Sequence, residues 1–218
     1  MKKKLLFVVM LLGLIILPMS VMASPKIEDY KTNTLEEVLA EEKIEKAFDT
    51  LESGEDKVKI YLFRGNGCTY CKKFLEFMNS IVEEYGKYFE VVSFESWYDA
   101  DNGALMEEVS TFLGEPAQGV PYIVIGDQAF GGYAESYNEA IIGKIQEEYA
   151  KENDKYDVFE EMAKAEKAAA RAENAKTNKI IIFNFVFVAL GTATVIMFNS
   201  KQNKQLVELI EKQNKSKK

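Results

Sequence analysis

The chain has 218 residues, a formal net charge of −8 at pH 7, two cysteines and no histidine. A usual zinc site needs about four Cys or His ligands, so this composition excludes one. The acidic balance also argues against nucleic acid as a partner.

The first 23 residues have the three parts of a secretory signal. Three lysines precede an apolar run at 5–17, Pro18 breaks the pattern, and Val21-Met22-Ala23 fits a small-residue cleavage site. We therefore predict a signal peptide over residues 1–23. The alternative is an uncleaved membrane anchor, because residues 5–22 nearly reach the roughly 18 residues that a span needs.

Residues 24–56 are predicted to form a polar tether followed by an amphipathic helix. The tether covers 24–34, and from Thr34 onward apolar residues recur at helical spacing as far as Leu51. Thr34 and Glu37 have the spacing of a capping box, which begins a helix. Ser53-Gly54 is expected to end it.

Residues 57–150 have the pattern of one α/β domain with the order β-α-β-α-β-β-α. The strands are predicted at Lys57 to Phe63, at Tyr88 to Trp97 and on both sides of the Gly126-Asp127 turn; the helices are predicted at Cys71 to Tyr85, Ala104 to Leu113 and Ala134 to Tyr149. Residues 151–178 are charged and rich in alanine, and we predict a solvated helical stalk there. About 28 helical residues would rise roughly 40 Å between the domain and a membrane.

A second apolar segment, residues 179–199, is predicted to be a transmembrane helix. About 19 residues rise roughly 28 Å as a helix, close to the bilayer core of about 30 Å. Its only polar side chains from Ile180 to Phe198 are Asn184, Thr192 and Thr194. The alternative is a helix buried in a soluble core.

The lysine distribution predicts the orientation in the membrane. The tail, residues 200–218, carries six lysines and two glutamates. Because basic flanks stay inside the cell, we expect a cytoplasmic tail and an extracytoplasmic N-terminal domain in a single-pass protein of the cell membrane. A type I protein of the endoplasmic reticulum would share this topology. Residues 24–178 hold 17 basic and 33 acidic residues, a formal charge of −16, which would repel nucleic acid and anionic head groups.

Both cysteines lie in the stretch "GNGCTYCKK", three positions apart and directly after a glycine-rich turn. Cys68 is at the start of the predicted helix, where free backbone N–H groups and the helix dipole favour a thiolate. Cys71 is one turn later, so Cys68 suits attack and Cys71 suits resolution. The alternatives are a structural disulfide and a Cu(I) or intersubunit metal site. Because a disulfide here closes only a short loop and gains little stability, we favour a redox pair.

The strand, the "CTYC" that opens a helix and the later "GVPYIVIGDQAFGGY" resemble the thioredoxin fold, and the second motif is closest to the glutaredoxin branch. The resemblance covers Lys57 to about Tyr149. It implies a thioredoxin-like α/β fold, with a central mixed sheet flanked by helices. It also implies a redox-active Cys68–Cys71 disulfide and no other cofactor.

The resemblance also implies the site residues. Cys68 would be the nucleophile and Cys71 the resolving cysteine. The Val120–Pro121 bond would be cis and face the dithiol, so that Val120 backbone groups pair with a bound client strand. Tyr70, which agrees with the glutaredoxin motif, is placed with them as a substrate-binding residue. The alternative for Pro121 is an ordinary proline at the start of a strand.

The chain departs from these families at several positions. The buried acid of thioredoxins is Leu62 here, so proton transfer at Cys71 must use water or another acid. The acidic residues that glutaredoxins place on glutathione are not reproduced at Tyr133-Ala134. Three cations, Arg64, Lys72 and Lys73, are candidates for lowering the pKa of the Cys68 thiol.

The resemblance and the predicted topology together imply a membrane-tethered thiol–disulfide oxidoreductase outside the cytoplasm. Its expected partners are exported, cysteine-containing client proteins and a membrane electron donor or acceptor. The alternative from another class is a non-catalytic binding module of the same fold. In that protein Cys68 and Cys71 would form an inert disulfide, and the acidic surface would dock a partner.

Overall fold

The computed structural model of the chain describes residues 24–51, 54 and 56–216. The predicted signal peptide, residues 1–23, lies outside the described residues, as do Ser53 and the last two lysines. The chain divides into two units, with the boundary between Glu166 and Lys167.

The first unit is built on a five-stranded mixed sheet with the strand order β1-β3-β2-β4-β5. The strands are β1 (Thr32–Thr34), β2 (Val58–Arg64), β3 (Phe89–Glu95), β4 (Tyr122–Ile125) and β5 (Gln128–Gly131). β2 and β3 are parallel, and the other three pairings are antiparallel. Every residue of the central strand β2 is buried except Lys59. Its β-branched and aromatic residues suit such a position.

Helices cover both faces of the sheet. They are α1 (Leu35–Glu41), α2 (Thr69–Tyr85), α3 (Ala100–Leu113), α4 (Asn138–Ala150) and α5 (Val158–Ser216). Because side chains alternate along a strand, Ile60 and Leu62 pack with α1, α2 and α4 on one face. Tyr61 and Phe63 pack with α3 and the start of α5 on the other face. The predicted mixed α/β architecture is confirmed, with small shifts at the ends of the strands and helices predicted within residues 57–150.

The segment predicted as a tether contains a strand of the sheet. β1 pairs with β3, with Asn33 opposite Ser93. The Asn102 side chain of α3 donates to the carbonyl of Lys31 at 3.0 Å, next to this strand. Thr32 to Thr34 has no apolar residue and therefore no alternation, so the usual sequence signal for a strand is missing.

The first helix begins as predicted but ends ten residues earlier. The Thr34–Glu37 capping box is confirmed. Lys43 takes a left-handed conformation (φ 56°), and the N–H of Ile44 donates to the carbonyl of Leu39 at 2.8 Å, which closes the helix in a Schellman motif. Beyond it, the Asn79 side chain bonds to Ala47 N–H and to the Glu45 carbonyl. The prediction of a helix reaching Leu51 is therefore wrong.

The segment predicted as a solvated stalk begins inside the core of the first unit. Val158, Phe159 and Met162 are buried against the face of the sheet that α3 covers. Asp157 accepts the N–H of Phe159 at 3.0 Å and so caps α5. Near the end of this unit, Glu166 accepts the N–H of Ser24 at 2.7 Å.

In the second unit, the described residues from Lys167 to Ser216 are the remaining part of α5. Among the described residues, α5 is the one helix that is long and apolar enough to cross a membrane. Its large apolar side chains between Ile180 and Phe198 are exposed. The predicted span at 179–199 agrees with this helix in length and composition.

Candidate functional site

The two cysteines lie at the start of α2, directly beyond the central strand. β2 ends at Arg64, and the chain turns through Gly67, whose φ of +82° favours glycine. Cys68 is the N-cap of α2, and its Sγ accepts the N–H of Cys71 at 3.2 Å. A backbone donor of the first helical turn therefore points at the Cys68 sulfur, where it favours negative charge.

Cys68 and Cys71 form a disulfide, with their Cα atoms 5.2 Å apart. Cys68 is 5% exposed and Cys71 is 1% exposed. An incoming thiolate therefore reaches the sulfur of Cys68 more easily than that of Cys71, in line with the roles that the helix position suggests.

The loop before β4 lies against the Cys68 sulfur. The carbonyl oxygen of Val120 is 3.7 Å from Cys68 Sγ, and the Val120–Pro121 bond is cis. β4 runs antiparallel to β2, with Tyr122 opposite Phe63, and this pairing brings the loop to the cysteines. A disulfide sulfur carries no proton, so this is a contact, which becomes a donor–acceptor pair when Cys68 is a thiol.

Tyr70 lies outside this group of contacts. Its side chain is 59% exposed on the first turn of α2, and the ammonium of Lys73 is 5.9 Å from its ring centroid. Its role in substrate binding stays a prediction.

The three candidate cations occupy different places. Arg64 is 1% exposed. Lys72 donates to the carbonyl of Glu42 at 3.4 Å, while Lys73 lies over Tyr70. Leu62 is a fully buried, apolar residue, so it supplies no acid for proton transfer at Cys71.

Glu95, at the end of β3, is a site residue that the sequence does not reveal. Its carboxylate accepts the N–H of Asn66 at 3.1 Å, in the loop before Cys68. It also accepts backbone N–H groups of Trp97, Tyr98 and Asp99 in the loop after β3. Burial raises the pKa of Glu95, but these donors outweigh it and the net pKa is lowered. One carboxylate thus ties two loops together beside the disulfide.

Trp97 is a second residue beside the cysteines that the sequence does not reveal as part of the site. Its indole lies so close to Gly65 that a Cβ at that position would overlap the ring. The indole is 54% exposed, and Tyr98 beside it is 80% exposed. Gly65 precedes Cys68 by three residues, and its carbonyl accepts the Cys68 N–H at 3.0 Å. An exposed aromatic pair therefore adjoins the cysteine loop.

Comparison with protein-family models, with curated proteins and with solved structures finds no match for this chain. The interpretation of the site therefore depends on the chain's own geometry. The geometry shows a mixed α/β unit with a Cys-x-x-Cys disulfide at the start of a helix, in a chain with a long apolar C-terminal helix.

Proposed function

We propose that this chain is a thiol–disulfide oxidoreductase with a thioredoxin-like fold. The main support is the position of Cys68 at the N-cap of α2, with its Sγ accepting the N–H of Cys71. The order β-α-β-α-β-β-α around a mixed sheet and the contact between Cys68 and Val120 support the same proposal. We further propose that α5 tethers the protein in the cell membrane, with the first unit outside the cytoplasm.

The proposed reaction is an exchange between the dithiol of a client and the Cys68–Cys71 disulfide. A client thiolate attacks Cys68 Sγ, the bond to Cys71 breaks, and Cys71 leaves as a thiolate. A second client thiolate then attacks the client sulfur of the mixed disulfide, the bond to Cys68 breaks, and Cys68 leaves as a thiolate. The client is thereby oxidised to a disulfide and the Cys68–Cys71 pair is reduced to a dithiol. The reverse sequence reduces a client disulfide. In both directions the Cys71 N–H stabilises charge on Cys68, because a hydrogen bond to an ion is stronger than one to a neutral sulfur.

The proposed clients are exported proteins with cysteines, since the domain would face the same compartment as they do. A membrane electron donor or acceptor would restore the dithiol or the disulfide after each turnover. The acidic composition of residues 24–178 makes nucleic acid an unsuitable partner.

Trapping tests the oxidoreductase proposal. In a Cys71→Ala chain attack on a client disulfide still occurs, but resolution from Cys71 does not, so mixed disulfides on Cys68 should accumulate in cells. Non-reducing gels and mass spectrometry of the purified full chain measure them. The matched control is the Cys68→Ala, Cys71→Ala chain. If the Cys71→Ala chain carries no adducts that reductant releases beyond those of the control chain, the proposal fails.

One observation favours the alternative of a binding module with an inert disulfide: both cysteine residues are at least nine-tenths buried. The reduction potential distinguishes the two functions. An inert structural bond is expected below about −300 mV, whereas a catalytic pair exchanges readily with a glutathione buffer. Equilibration of the full chain with such buffers, followed by alkylation and gel shift, measures this potential.

A further inference from the structure

We propose that Arg64, Glu41 and Glu42 form a positioning cluster that fixes the loop before Cys68 and sets the reactivity of the Cys68 sulfur. This inference rests on the proposed redox function of Cys68; it adds Glu41 and Glu42 to the candidate cation Arg64 and assigns the three a joint role. Among the described residues, no hydrogen bond or ion pair joins any of the three to Cys68 or Cys71, so they act through the loop and through their charge.

Arg64 is the buried centre of the cluster. Its Nε donates to Ser93 Oγ at 3.1 Å, and its Nη2 donates to Glu41 Oε2 at 2.5 Å. Its Nη1 lies 4.0 Å from Glu42 Oε1 and has no hydrogen-bond partner among the described residues. A guanidinium that is 1% exposed is costly to bury without compensating charge. The two carboxylates supply that charge.

The same carboxylates contact the loop that leads to Cys68. Glu41 Oε1 accepts the Asn66 side-chain N–H at 3.2 Å. Glu42 Oε1 accepts the Gly67 backbone N–H at 3.4 Å. The Schellman turn that ends α1 holds both glutamates at the end of that helix. The contacts therefore run from β2 through α1 to the two residues immediately before Cys68.

The charges of the cluster determine the direction in which each residue should shift the pKa of the Cys68 thiol. Arg64 partly compensates the two negative charges of Glu41 and Glu42 beside the cysteine loop. Two other charged groups lie at this loop and stay in place in every variant: the Glu95 carboxylate, which accepts the Asn66 N–H, and the Lys72 ammonium, which donates to the Glu42 carbonyl. Without Arg64, both carboxylates would face the loop uncompensated, and nearby negative charge disfavours a thiolate. Loss of Arg64 should therefore raise the pKa of the Cys68 thiol. Loss of the two carboxylate charges should lower it.

A purely structural role makes a different prediction. If the cluster only stabilised the fold, Arg64→Met and a Glu41→Gln, Glu42→Gln pair would both lower the stability. Neither substitution would then shift the pKa of the Cys68 thiol in the direction set by the charge that it removes. The pH profile of Cys68 alkylation therefore separates the two roles, because the two substitutions should shift it in opposite directions.

The experiment uses the full chain in detergent in a Cys71→Ala background, where Cys68 is the one thiol. The rate of iodoacetamide alkylation is followed against pH for the parent, R64M, R64K, E41Q/E42Q and R64M/E41Q/E42Q. We expect the midpoint to rise by about one pH unit in R64M and to fall in E41Q/E42Q. The combined variant should return toward the parent. R64K should lie between the parent and R64M, since lysine keeps the charge but not the planar fork.

Glu45→Gln is the matched control, because Glu45 is an exposed glutamate just beyond α1. It should leave the midpoint unchanged. Equal midpoints in folded R64M and the parent would overturn the inference. If R64M does not fold, E41Q/E42Q decides, and a midpoint that stays constant or rises there also overturns it. A different result would separate the two proposals. If the midpoints shift with charge as expected but the Cys71→Ala chain traps no client, the oxidoreductase proposal fails and the proposal for the cluster stands.

Discussion

The carboxylate of Glu95 holds together the two loops beside the cysteine site. One carboxylate holds backbone N–H groups from Asn66 and from three residues after β3. Its pKa is lowered in the folded chain, because these donors outweigh the effect of burial. A lowered folded pKa stabilises the fold above the unfolded pKa. That stability is lost as the pH falls through the folded pKa.

Glu95→Gln should therefore lower the free energy of unfolding by about 1 kcal/mol at pH 7, since a neutral acceptor binds these donors less strongly than a carboxylate. The stability of the variant should also fall less steeply between pH 6 and pH 3 than that of the parent. Urea unfolding of the full chain in detergent at several pH values measures both effects. Glu107→Gln, at an exposed position of α3, is the control. Parallel pH profiles for Glu95→Gln and the parent would contradict this reasoning.

Local sequence indicated the cysteines and the nearby Arg64, but it indicated neither Glu95 nor the contacts that Arg64 makes. The Cys68–Cys71 spacing and the glycines before it are local signals, so the helix start could be predicted. Glu95 reaches Asn66 across 29 residues, and Arg64 reaches Glu41 across 23. Such contacts depend on which strands and helices become neighbours in the fold. The spacing of residues along the sequence does not give that information.

At the scale of helices and strands, the start of α5 is anchored by Asp157. Its carboxylate caps the helix through the N–H groups of Phe159 and Glu160. It also accepts from Lys59 Nζ at 3.0 Å and from Tyr61 OH at 2.8 Å. Burial, then the Asp157 charge, strongly raises the pKa of the Tyr61 phenol. Composition predicts a helix here, but only the contacts with β2 show that its first turn is part of the core.

Asp157→Ala should lower the free energy of unfolding by about 2 kcal/mol, because it removes a helix cap and leaves the Tyr61 hydroxyl buried without this partner. Asp157→Asn should cost less, since its amide oxygen can still cap the helix. Asp154→Ala, at an exposed position in the preceding turn, is the control. Urea unfolding followed by tyrosine and tryptophan fluorescence measures the three variants. Equal stability of Asp157→Ala and Asp154→Ala would show that this anchor is unimportant.

At the scale of the whole molecule, the apolar part of α5 divides two regions of opposite charge. Residues 24–178 carry a formal charge of −16, whereas the tail at 200–218 has six lysines and two glutamates. Hydropathy is a property of sequence alone, so the helix that could span a membrane is predictable without any contact. In the proposed membrane-tethered protein, the lysines set the direction of insertion, and that direction decides whether the disulfide faces an oxidising compartment.

We predict that the cysteine site lies outside the cytoplasm and the lysine tail lies inside it, because basic residues next to a span are retained in the cytoplasm. The chain has only two cysteines, so a Cys68→Ala, Cys71→Ala background allows single cysteines to report topology. Ser80→Cys, on an exposed position of α2, should react with a membrane-impermeant maleimide in intact cells. Asn203→Cys, in the tail, should react only after permeabilisation. The opposite labelling pattern would place the disulfide in the cytoplasm, where thiols are kept reduced, and exported clients would then be out of reach.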